Sequence, residues 1–202
     1  MAESWLYESV ALKGMKNYEG ALKSTAAYSR YGEHYARLSK FNELYISIEM
    51  KQIEPIEELM GMLEGDQVLL VLPVALDSYL SNNALIEARG CLEKYKSYVD
   101  DLLSRKDPFH SKHKLRLTQA LSQYYFRCGQ YDTGFDYNAA SLKLALNLKN
   151  MHRVGMAVVS FQEHEKQASA EHKERFINIL LSMNHNIHGS FLVQYYRSVV
   201  AG

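Results

Sequence analysis

The chain has 202 residues, and its 23 Lys and Arg balance 23 Asp and Glu to a formal net charge of zero. That length supports one domain with a sizeable core or a stack of small units. The balanced charge supplies no basic excess for nucleic acid or an anionic membrane. Two cysteines, Cys91 and Cys128, lie far apart in helix-like contexts, which fits buried thiols in a reducing compartment and not a disulfide framework.

The N-terminus, MAESWLYESV, has neither a basic n-region nor a long apolar h-region, so no signal peptide is expected. Apolar residues then recur every three to four positions, and Ala, Leu, Glu, Lys, Met and Tyr dominate. This predicts an all-α protein. In chain order the expected helices are 3–14, 18–31, 33–51, 55–64, 67–82, 84–105, 109–128, 131–148, 151–168, 171–183 and 188–199. Short breaks between them imply antiparallel neighbours. The longest apolar run, VLLVLPVAL at 68–76, is too short to span a bilayer. Pro73 inside it should kink the fifth helix or mark its true start, and a short buried strand at VLLVL is the rival reading. The basic stretch RKDPFHSKHKLR (105–116) reads as a solvated loop and helix start.

Four turns share a pattern: NYEGAL (17–22), QIEPIEEL (52–59), ALIEARGCL (84–92) and QYDTGFDY (130–137). An apolar or aromatic residue follows each turn, with a small or apolar one three later: Tyr18/Ala21, Ile53/Ile56, Leu85/Ala88 and Tyr131/Gly134. Successive units are offset by 35, 32 and 46 residues, periods characteristic of stacked helical hairpins.

On these residues the chain resembles the tetratricopeptide-repeat family. Leu121, Ser122, Tyr125, Gly129, Tyr131, Gly134 and Tyr137 match its pattern best, followed by Trp5, Ser9, Ala11, Tyr18 and Ala21. The turn glycine is missing from the units at 44–64 and 72–105, and no unit ends on the family's proline. The resemblance implies a single domain over 1–202, a right-handed superhelix of ten or eleven helices. Its units are 3–31, 33–64, 66–105 and 109–148, with a fainter unit and cap over 150–199. It further implies a concave face, lined by first helices, that binds a protein or peptide. The residues expected there are Trp5, Ser9, Leu12, Tyr79, Asn82, Thr118, Leu121, Ser122 and Tyr125. Leu12, Tyr79 and Tyr125 stand where that family's inner Asn would lie, so no carboxylate clamp is expected. Related modules serve bacterial signalling and transcription-regulating proteins, which implies a cytoplasmic sensory or regulatory role. With no output domain apparent, a piece of a longer regulator or action in trans is expected.

The alternative is an assembly scaffold that dimerises through 188–199, where Phe191, Leu192, Tyr195, Tyr196 and Val199 form an apolar face. Catalysis finds no support in the sequence. His110 with His113, and His185 with His188, are two-ligand pairs and not metal sites. They read as solvated, as do His152, His164 and His172, whereas His34 reads as a packed aromatic. Glu57–Glu58 and Asp100–Asp101 point to different helix faces, and Glu163, His164 and Glu165 lack a second E-x-x-H unit. No nucleophile elbow, P-loop or dinucleotide glycine pattern occurs. No catalytic residue, metal or cofactor is therefore expected, and no nucleic acid or membrane partner.

Overall fold

A computed structural model describes residues 1–182. The described residues are all-helical: α1 Ala2–Gly14, α2 Tyr18–Tyr28, α3 Glu33–Glu49, α4 Pro55–Gly61, α5 Asp66–Ser81, α6 Leu85–Lys94, α7 Lys96–Ser104, α8 Ser111–Arg127, α9 Tyr131–Asn147, α10 Met151–Glu163 and α11 Ala170–Leu181. None is long and apolar enough to cross a membrane. The expected helix 188–199, with Phe191, Leu192, Tyr195, Tyr196 and Val199, lies outside the described residues, as do His185 and His188. The chain falls into two compact units, Met1–Arg105 and Lys106–Gly202.

The recurring turn of the sequence has one recurring backbone form. Lys16, Lys51, Asn83, Gly129 and Lys149 each adopt a left-handed conformation, with φ of 60°, 70°, 57°, 72° and 53°. In every case the left-handed residue donates to the carbonyl three back, as Gly129 N does to Phe126 O at 3.0 Å. The residue after it donates to the carbonyl five back, as Gln130 N does to Tyr125 O at 2.9 Å. This pair of bonds is the Schellman closure, which satisfies the last carbonyls of one helix and turns the chain into the next. At two of these turns the following residue is an Asn that caps the new helix: Asn17 Oδ1 accepts from Gly20 N and Asn150 Oδ1 from Arg153 N.

A fixed turn fixes the register of the two helices it joins. Seven residues before and five after each left-handed residue stand Ser9/Ala21, Leu44/Ile56, Leu76/Ala88, Ser122/Gly134 and Leu142/Val154, and all ten residues are buried. Where the first member is Ser, the second is small and the backbones come close enough to bond. Ser9 Oγ donates to Ala21 O at 3.1 Å, and Ser122 Oγ donates to Gly134 O at 2.9 Å.

In the first unit α5 is the core element. Val68, Leu69, Val71, Leu72, Leu76 and Leu80 are buried, consistent with a helix that is apolar all round. It runs unbroken through Pro73, which is itself buried, so the helix neither starts there nor gives way to a strand. Asp77, Ser78 and Asn82 tie it to the α3–α4 turn through Lys51 Nζ (2.6 Å), Gln52 O (3.1 Å) and Lys51 O (2.6 Å). Arg105, just after α7, ties that helix to the start of α5, pairing with Asp101 at 2.9 Å and Asp66 at 2.6 Å. The expected helix 84–105 is in fact two, α6 and α7, because Tyr95 leaves helical geometry at φ −108° and ψ 23°.

In the second unit α8, α9, α10 and α11 enclose an apolar cluster that includes Leu115, Phe126, Phe135, Leu142, Val154, Phe161 and Phe176. Phe126 faces Phe135 edge-on with centroids 4.9 Å apart, and Phe161 stacks on Phe176 at 4.0 Å. Gly134 faces Phe126 directly: a Cβ there would come within 2.4 Å of the ring. Gly155, on α10, has nothing within 4 Å of where its Cβ would be.

These two glycines make opposite expectations within one unit. Gly134→Ala should lower stability by about 1–3 kcal/mol through overpacking against a buried ring, whereas Gly155→Ala should be neutral or raise it by up to about 1 kcal/mol through helix propensity. Urea unfolding of the two variants measures both, and equal effects would contradict the packing described.

Candidate functional site

One concavity of the second unit lies along α8 and α10. These helices run parallel, because the chain reverses twice through α9. Midway along α8, Gln119 Nε2 donates to Arg153 O near the start of α10 at 3.0 Å. Near their ends, the Phe126 and His164 rings stack at 4.1 Å, only 10° from parallel. Between these ties runs a groove of about 580 Å³.

Each wall follows from helical spacing. Met151, Gly155 and Val159 recur every four residues on α10 and form an outward stripe, separate from the inward Val154, Val158 and Phe161. Met151 and Val159 are 46% and 52% exposed, unusual for large apolar side chains. Gly155 between them leaves the wall open. Gln123, Phe126 and Arg127 supply the α8 side. Polar groups collect at the ends, with His152 near the start of α10 and Arg127, Glu163 and His164 near its close.

His164 Nδ1 lies 3.0 Å from Ser160 O. A carbonyl only accepts, so Nδ1 carries the hydrogen. The partner is the main chain of Ser160, so no serine–histidine couple forms there. Among the described residues no group of three or more His, Cys, Asp or Glu converges on a point where a metal could sit.

The residues expected on the binding face are placed differently. Ser9, Tyr79, Thr118, Leu121 and Ser122 are buried. Ser9 and Ser122 close their helix pairs, and Ser9 also meets Thr25 Oγ1 at 2.6 Å. Thr118 Oγ1 donates to Leu115 O within its own helix. Leu12 and Tyr125 are half-buried, and Tyr125 stacks on Tyr137 of α9 at 5.5 Å. Trp5 and Asn82 are exposed, but Asn82 is committed to Lys51 O. On α8, Ser122 and Tyr125 meet α9, while Gln119 bonds α10 and Gln123, Phe126 and Arg127 line the groove. A signal for the groove was present in MHRVGMAVV, as a second apolar stripe interrupted by glycine.

The histidines also depart from expectation. His110 is buried and its ring lies 2.8 Å from Asp107 Oδ1, which also accepts from His110 N. His113 is half-buried. Burial first, then the charges of His110, Arg116 and Lys112, hold its pKa below the usual histidine value. His164 is a packed ring and His172 reciprocates the Ser169 cap of α11, so neither is a free surface group. His34, expected to be packed, is exposed and touches Tyr35 edge-on at 5.4 Å.

No known protein family, curated protein or solved structure matches the chain.

The cysteines, expected to be alike, differ. Cys91 is buried, and desolvation pushes its thiol up to about 12, whereas Cys128 is exposed beside the α8–α9 turn. A thiol reagent should therefore modify Cys128 in the native protein and Cys91 only in denaturant. Two reactive thiols without denaturant would contradict the burial of α6.

Proposed function

We propose that the chain is a non-catalytic module that binds a segment of another polypeptide, built from helix pairs that repeat in the tetratricopeptide manner. The repeat reading is supported by the common left-handed turn, the constant register across it and the Ser–small pairs at Ser9/Ala21 and Ser122/Gly134. The binding reading rests on one observation above the others: Gly155 opens the α8/α10 groove between two exposed apolar side chains, Met151 and Val159. A concave apolar floor with polar ends suits a segment that inserts one large apolar residue and leaves its polar neighbours near Arg127, His152 and Glu163. Thioether side chains adapt to the shape of what they cover, which suits a groove walled by Met151 and Met156. A module of this kind belongs in a sensory or regulatory protein, where occupancy by a partner segment is the signal.

A display library of random short peptides, panned on the full chain, tests the reading. Enriched peptides should share a large apolar residue. Their affinity should fall at least about tenfold, ~1.4 kcal/mol, for Gly155→Trp, which fills the opening without meeting other atoms at its base. Circular dichroism and thermal melting verify that the variant is folded. No enrichment, or equal binding to Gly155→Trp, would overturn it.

A further inference from the structure

Beneath the groove, where α8, α9 and α10 meet, lies a second and much smaller space of about 10 Å³. Six of the eight residues that line it have polar side chains. It shares Gln123, Met156 and Ser160 with the groove above, so these three side chains separate the two.

Asn138 borders this chamber from α9 and is only 2% exposed. Its Nδ2 donates to Ala157 O at 3.0 Å. Because that carbonyl can only accept, the amide orientation is fixed, with Oδ1 as the remaining group. No protein donor among the described residues reaches Oδ1. The two buried hydroxyls nearby cannot supply one. Ser141 Oγ gives its single hydrogen to Asn138 O at 2.8 Å, and Ser122 Oγ gives its own to Gly134 O at 2.9 Å. Each retains lone pairs. These two hydroxyls are thus left to the chamber only as acceptors.

We infer that this chamber is a binding site for one water molecule, which donates to Asn138 Oδ1 and to a serine hydroxyl beside it. The volume is that of a single water-sized sphere, and two or more polar partners are what a buried water requires. A water can give two hydrogens while accepting from Gln123 or Ser160. Leaving a buried amide oxygen unpaired is costly, so the water is an integral part of the three-helix junction. It places a polar point under the otherwise apolar middle of the groove, whatever segment occupies that groove.

The test is a high-resolution crystal structure of the full chain, with water–amide nuclear Overhauser measurements in solution. Density for one water within hydrogen-bond distance of Asn138 Oδ1, and a cross-peak from the Asn138 side-chain amide to a long-lived water, are expected. In Asn138→Leu that cross-peak has no source, so water relaxation dispersion should instead lose one long-lived molecule relative to the native protein. An empty chamber, or Asn138 Oδ1 bonded directly to Gln123 or Ser160, would overturn the inference. The native crystal structure decides the matter by itself if Asn138→Leu does not fold.

Discussion

Helix pairing in this protein is governed by one backbone event, a residue driven into the left-handed region at the end of a helix. The paired bonds that follow, three and five residues back, leave almost no freedom in how the next helix departs. The positions that meet across the pair are then set by counting from the turn. Seven before and five after are always inside, and the residue types there decide how near the helices lie. Ser opposite Ala or Gly brings them together until a side-chain hydroxyl reaches the opposite main chain.

The closest of these approaches shapes the candidate site. At the α8–α9 pair, Gly134 admits the Phe126 ring against its own backbone. Held there, Phe126 meets Phe135 on α9 and His164 beyond α10, and still contributes to the groove. One aromatic ring thus joins the pairing of two helices to the surface a partner would touch. The groove is an outcome of the register: α9 carries the chain down and back, and α10 returns parallel to α8 with its glycine-centred stripe facing outward. Ser122 and Asn138 serve the same junction from the polar side, each spending its hydrogens on main-chain carbonyls of a neighbouring helix.

Much of the helical layout was legible because apolar spacing and turn composition agree. Helix ends such as Gly14, Tyr18, Tyr131 and Met151 fall within a residue of the expectation. The break at Tyr95 was hidden, since Leu92, Tyr95, Tyr98 and Val99 hold helical spacing straight across it. The left-handed residues were also hard to see. Three of the five are Lys, a residue with no preference for that conformation, so neighbouring Asn, Gln and Gly carried the signal. For the site, helical spacing groups Leu117, Leu121, Tyr124, Tyr125 and Cys128 on one face of α8 but does not tell the side that meets α9 from the side that meets α10. Of the residues chosen on α8, Ser122 and Tyr125 went to the pairing side. Only the position of α10 distinguishes the two, and that depends on contacts far apart in sequence.

The account depends most on the recurring left-handed turn, and stability measurements at its non-glycine positions test that directly. A side chain in this conformation costs about 1 kcal/mol or more that glycine avoids, partly offset by glycine's greater freedom in the unfolded chain. Lys16→Gly and Lys149→Gly, measured singly by denaturant unfolding, should each raise stability by about 0.5–1 kcal/mol, with Asn83→Gly gaining least because Asn tolerates the conformation. Loss of stability at these positions, of the size expected for glycine inside a helix, would mean that the turns do not form and that the helices do not pair in this register.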